Sequence, residues 1–327
     1  MKKKSFVLVT SLLFFMFSSQ AFSAQAAAKR ILCTTFPVFQ ITRNVTEGVD
    51  GIEVELMIPA RLGCPHNYSL TPGDMRKIAS ADILVINGLG MEEFLGAPLY
   101  EANPELVTVN SAEGIEGLLE FGHSESGEHP GDDKHMEDQD PDSAPEETAH
   151  SHSDLNPHLF ASPGMAVKLT VNITEGLAGI YPDGAGTFRE NGRRYAAELN
   201  NLAEGFTTLA GRLINNRIVT QHGAFDYLAR DAGLKIVAVI NAEGGSSLSA
   251  AGIISLVKKI NQTKAGAVFT EPQYPRRIGT AIAGEAGIPA GELDPVASGP
   301  ENAPLDYYQT VMRRNMEVLE NLLGVRE

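Results

Sequence analysis

The stretch GTFRENGRRYAAELNNLAEGFTTLAGRLI, from Gly186 to Ile214, decides the fold. Phe188, Tyr195, Leu199, Leu202, Phe206, Leu209 and Leu213 recur at helical spacing, which predicts one long amphipathic helix. At 1.5 Å per residue it would run roughly 40 Å, about the size of a domain. Short apolar runs alternate with helical patterns on both sides of it. Upstream, strands are expected at Arg30–Phe36, Ile52–Ile58, Ile83–Ile86 and Leu106–Val109. Between them come a helix through about Glu47 and another opening at Thr71, a helix cap followed by Pro72. Downstream, strands are expected at Arg217–Thr220, Lys235–Ile240, Ala267–Thr270 and Ala290–Leu293. The helices there are Ala224–Asp231, Ser249–Ile260, Pro275–Ala286 and Leu305–Leu323. Such alternation indicates βαβ units and parallel sheet. The expected architecture is α/β, with two lobes, each a mainly parallel four-stranded sheet flanked by helices, joined by a single long helix. The two halves show no quotable sequence repeat.

The boundaries follow: 1–26, 27–183 for the N-terminal lobe, 184–215 for the linking helix, and 216–327 for the C-terminal lobe. Residues 1–26 read as a secretory signal. Lys2, Lys3 and Lys4 are its basic start, Phe6 to Phe17 its apolar run, and Ala24-Gln25-Ala26 its cleavage site. That run is too short to span a bilayer. Export to the periplasm and a mature chain with no membrane insertion are expected.

The formal net charge of −15 argues against nucleic acid as a partner. Eleven acidic residues and one lysine lie between Phe121 and Pro157, in a stretch poor in large apolar side chains. Such a segment cannot bury enough surface to offset the entropy of ordering, so 121–157 reads as a disordered acidic loop within the first lobe. Cys33 and Cys64 are the two cysteines. An exported pair can form a disulfide, stand as two small buried residues, or, for Cys64, ligate a metal.

The chain has eight histidines, and five of them (His123, His129, His135, His150 and His152) lie in the acidic loop. The other three, His66, His158 and His222, stand at loops or strand-to-helix junctions, and Asp294 follows the last strand. Parallel α/β sheets bind ligands beyond the carboxyl ends of their strands. Three imidazoles and one carboxylate suit tetrahedral Zn²⁺. Singly, a loop histidine is more often a surface residue or a cap partner. Glu92, Glu93 and Glu271 have no nucleophile–base pairing, and Glu271 reads as structural at its strand end.

Several blocks carry a resemblance. Pro65-His66-Asn67-Tyr68-Ser69-Leu70-Thr71-Pro72-Gly73-Asp74 resembles the PHxYxxTPxD segment of the solute-binding proteins of zinc and manganese ABC importers, the cluster A-I or cluster 9 family. Asn87-Gly88-Leu89-Gly90-Met91-Glu92 resembles their NGLGxE, Asn156-Pro157-His158 their (D/N)PHxW, and His222-Gly223-Ala224-Phe225-Asp226-Tyr227 their HxAFxY. Glu271-Pro272-Gln273 and Leu293-Asp294-Pro295 match two further blocks in order. The resemblance implies metal held in an interlobe cleft by His66, His158, His222 and Asp294. It also implies delivery to a membrane permease with its cytoplasmic ATPase, by a monomeric protein that is not an enzyme. Manganese-type members usually carry a carboxylate third; His222 there suits zinc, since manganese prefers oxygen. Cys64 and Phe160 depart from the more usual small residue and Trp. The five loop histidines are expected to form secondary, low-affinity metal sites. A manganese transport protein, an exported zinc metallohydrolase and an adhesin or zinc buffer are the alternatives.

Overall fold

The structure, a computed structural model, describes residues 28–63, 65, 68–120, 155–240 and 248–326. Residues 1–26, Cys64, His66 and the five histidines of the acidic loop lie outside them.

The first half runs β1 (Lys29–Cys33), α1 (Phe36–Thr46), β2 (Ile52–Leu56), α2 (Pro72–Ser80), β3 (Ile83–Ile86), α3 (Gly96–Ala102) and β4 (Val107–Asn110). Two helices follow, α4 (Pro163–Ile180) and α5 (Ala185–Arg212). The second half runs β5 (Arg217–Thr220), α6 (Asp226–Ala232), β6 (Lys235–Val239), α7 (Ala250–Thr263), β7 (Ala267–Thr270), α8 (Arg276–Ala286), β8 (Ala290–Glu292) and α9 (Tyr307–Leu323). Both sheets are four-stranded and wholly parallel, in the orders β2-β1-β3-β4 and β6-β5-β7-β8. The order is the same in each lobe, so each chain path switches sides beside its first strand. Parallel α/β sheets hold ligands at such a point, beyond the strands' carboxyl ends.

The expected strands and helices are present, with ends shifted by a few residues. The sequence reading did not anticipate α3. Its Gly96 and Pro98 are poor helix interior residues but tolerable in a first turn. The cap of α2 is as expected: the Asp74 amide donates to Thr71 Oγ1 (3.2 Å) and the Thr71 amide to Asp74 Oδ2 (2.8 Å).

Strand side chains alternate between two buried layers, as sheets covered on both faces require. Leu32 and Leu84 pack with Met57 and Ile78 on the outer side of the first sheet, and Val219 and Val268 with Ile260 and Ile282 on that of the second. The inner faces, carrying Ile31, Val85, Ile218 and Phe269, share one continuous core with α1, α4, α5 and α9. The α5 helix crosses this core with Phe188, Tyr195, Leu199, Leu202, Phe206 and Leu209 buried. Gly192 lets α4 come close: a Cβ there would sit 2.3 Å from Thr174 Oγ1. Among the described residues no helix is long and apolar enough to cross a membrane.

Candidate metal centre

His222 lies two residues beyond β5 and opens a short 3-10 turn, Gly223–Phe225. His158 precedes another such turn, Leu159–Ala161, which leads into α4. The two turns bring the imidazoles together: their ring centroids are 5.0 Å apart and their planes nearly perpendicular, at 87°. Both residues are buried, His158 fully and His222 to within 6% exposure. Phe160 and Tyr274 pack edge-on against His158 and His222, at 5.8 and 5.3 Å.

Each imidazole is held through Nδ1 by an oxygen. His222 Nδ1 lies 2.6 Å from Glu271 Oε1, and His158 Nδ1 lies 2.8 Å from Asn156 Oδ1. A carboxylate oxygen and an amide oxygen can only accept, so in the neutral ring the proton sits on Nδ1 and the lone pair on Nε2. Metal-ligating histidines are held this way: the outer partner fixes the tautomer and raises the basicity of the other nitrogen. Glu271, the first residue after β7, is fully buried, and its Oε2 accepts from Gln273 Nε2 at 2.7 Å. The sequence reading gave Glu271 a structural role at its strand end. Its place on His222 Nδ1 adds a direct bond to a site imidazole, for which its position straight after a strand was the available signal.

Asp294 stands two residues beyond β8. Burial lifts its carboxyl to about 6; the Val296 amide, donating to Oδ1 at 2.7 Å, opposes this, and the charges of Glu292 and Glu271 add to the rise. Asn315 clamps the Asp294 backbone through both its N–H (3.0 Å) and its carbonyl (2.8 Å). Glu271 therefore lies within electrostatic reach of both His222 and Asp294. Among the described residues no three His, Cys, Asp or Glu side chains are grouped closely enough to hold a metal. His66 is outside those residues; Gly63 and Tyr68, to either side of it, are described. Gly63 packs on Gln273, where a Cβ would meet that side chain at 3.2 Å, and the Tyr68 hydroxyl donates to Asp74 Oδ2 at 2.8 Å. Gly63 thus lies against the residue two beyond Glu271.

Glu92 is buried beside the first switch point. It accepts from Thr34 Oγ1 (2.6 Å) and from the amides of Asn87 (2.7 Å) and Gly88 (3.0 Å). Burial raises its pKa against those three bonds. It clasps the loop after β3.

The family model "ZnuA: Zinc-uptake complex component A periplasmic" matches residues 31–322. The chain belongs to this family. The zinc-binding lipoprotein AdcA of Streptococcus pneumoniae strain R6 is 30% identical over 98% of this chain, which spans only 61% of that relative. The high-affinity zinc uptake system protein ZnuA of Bacillus subtilis is 27% identical, with 90% of this chain and 88% of the relative covered. Among solved structures, the Zn(II)-bound ZnuA-like domain of Streptococcus pneumoniae AdcA superposes with a TM-score of 0.69 at 26% identity, over 91% of this chain and 99% of that domain. The two-lobed fold with a long central helix is that of this family.

Proposed function

We propose that this chain is the zinc-binding, solute-receptor component of an ABC-type uptake system. It works in the periplasm and hands Zn²⁺ to a membrane permease driven by a cytoplasmic ATPase. His66, His158, His222 and Asp294 hold the ion. The observation that carries this reading is the pair of buried imidazoles, 5.0 Å apart, each with Nδ1 held by an oxygen acceptor. Three nitrogens and one carboxylate favour zinc over manganese. The carboxylate beside the pair, Glu271, is engaged by His222 and Gln273, so it is poorly placed to activate water for hydrolysis. Family membership supports export; the basic start, apolar run and Ala24-Gln25-Ala26 of the sequence point to removal of a leader near Ala26. The acidic loop captures zinc weakly and raises its concentration near the cleft.

Metal analysis and competition titration of the full chain test the site. The parent is expected to hold one zinc tightly. His66→Ala, His158→Ala and His222→Ala should each weaken binding by a factor on the order of 100 or more, and Asp294→Ala by less. Parent-like affinity in the three histidine variants would reject the assignment. Removing residues 123–152 should leave that single tight site intact and lower uptake only when zinc is scarce.

A further inference from the structure

We propose that Asp226 acts through Asn156 to fix His158 in the tautomer that presents Nε2, the two residues forming an exchangeable carboxylate–carboxamide pair. The proposal rests on the reading of His158 as a zinc ligand.

Asn156 is fully buried and two residues from His158. Its Oδ1 accepts from both His158 Nδ1 (2.8 Å) and the His158 backbone N–H (3.0 Å). A carboxamide can offer either end, and only one of them accepts. The far end decides which. Asn156 Nδ2 donates to the Gly223 carbonyl (2.7 Å) and to Asp226 Oδ2 (3.0 Å), both pure acceptors. Reversing the amide would set oxygen against those two oxygens and an NH₂ against the His158 backbone N–H. The network therefore admits a single orientation, and with it a single neutral tautomer of His158.

The Asn156 backbone is equally fixed. Its N–H donates to the Leu119 carbonyl (2.7 Å) and its carbonyl accepts from the Tyr227 hydroxyl (2.8 Å). Asp226 and Tyr227 open α6, four and five residues after His222. The segment that orients His158 is thus anchored to the segment that carries His222, which fixes the two imidazoles relative to each other. The pairing itself joins residues 70 apart in the chain.

The test uses the full-length chain, Zn²⁺ alone as the probe against a chromogenic chelator, and nitrogen NMR of histidine-labelled, metal-free protein. His158→Ala assigns the His158 signal. The parent should show the Nδ1–H form. D226N keeps an acceptor for Asn156 Nδ2, so its affinity should stay within about threefold of the parent and its tautomer should be unchanged. N156D sets a carboxylate against Asp226 and the Gly223 carbonyl, and should weaken zinc by roughly 10–100-fold, the range for outer partners of metal-bound histidines. Combining N156D with D226N restores a donor at position 226 facing the new carboxylate, and should recover about tenfold or more of that loss. A merely structural role would not be rescued by exchanging the two groups.

Three results would overturn the proposal: an Nε2–H form of His158 in the parent, parent-like affinity in N156D, or a double variant no better than N156D. If N156D does not fold, the parent tautomer and the folding and affinity of the double variant still decide. Parent-like zinc binding in His158→Ala would sink the ligand assignment instead, leaving the NMR to decide the relay separately.

Discussion

Glu271→Gln removes one charge and almost no volume from a fully buried position. The geometry can survive the change. The new amide still offers an oxygen to His222 Nδ1, now 2.6 Å from Oε1, and a donor to Gln273, whose buried Oε1 has no protein partner among the described residues. What disappears is the charge on the acceptor. A hydrogen bond to an ionised group contributes about 1.5–3 kcal/mol and a neutral one about 0.5–1.5, so roughly 1.5 kcal/mol of support for His222 is lost. If that support is expressed when Nε2 binds the cation, zinc affinity falls about tenfold. Metal-free stability should hardly change, because a buried carboxylate carries a desolvation cost that the amide avoids. Competition titration with Zn²⁺ and thermal denaturation of the metal-free protein measure the two effects. Unchanged affinity would refute the tuning of His222 by charge. A drop in metal-free Tm beyond about 4 °C would make Glu271 a stabiliser of the fold first.

Other outcomes follow from the same geometry. Burial pushes the Asp74 carboxyl up, but the hydroxyl and amide of Thr71, the Tyr68 hydroxyl and the Lys77 charge outweigh it, so its pKa lies below the ordinary value. A depressed pKa gives stability that is present above the unfolded value and lost as pH falls through the folded one. Asp74→Asn should therefore destabilise at neutral pH by about 1 kcal/mol, and its deficit in chemical denaturation should shrink below about pH 4. The Cys33 thiol is fully buried and pushed up to about 12 by that burial, with a Thr42 hydrogen bond opposing. At pH 8 its thiolate fraction is about one part in ten thousand, so iodoacetamide should leave Cys33 unmodified in the native protein. Because Cys33 is a free thiol, peptide mapping after denaturation without reductant should find it fully labelled.

The central helix was legible because its stripe is written at one period. Phe188, Tyr195, Leu199, Leu202, Phe206, Leu209 and Leu213 are all buried as the spacing requires. Asn191 and Gly192 share that buried face and break the pattern. Asn191 Nδ2 donates to the carbonyls of Val45 (3.1 Å) and Glu47 (2.8 Å) at the end of α1, and Gly192 makes room for Thr174. Both roles depend on partners far away in the chain, which a local period cannot register. The site divides the same way. His158 and His222 could be singled out at their turns, and family resemblance joined them. Asn156, Asp226 and Gln273 fall inside the same blocks, but their roles were not legible there, since each acts by hydrogen bonding to a group brought near only by the fold.

How such a protein would let its ion go is constrained by the core. The inner faces of both sheets pack on one apolar cluster that also holds α1, α4, α5 and α9. Phe36, which opens α1, meets Tyr307 of α9 edge-on at 5.6 Å, and the Tyr308 hydroxyl donates to the Phe160 carbonyl at 2.8 Å. Swinging the lobes apart would expose much of that cluster, at roughly 25 cal/mol for each Å² of apolar surface. A few large side chains already amount to several kcal/mol, and a close-packed interior does not stretch gradually. Movement that costs less must lie in the turns and loops at the strands' carboxyl ends, where polar groups on short connections set the imidazoles. Release is therefore expected to begin there, through a change in the hydrogen bonds that orient His158 and His222, while α5 and the two sheets keep their relation.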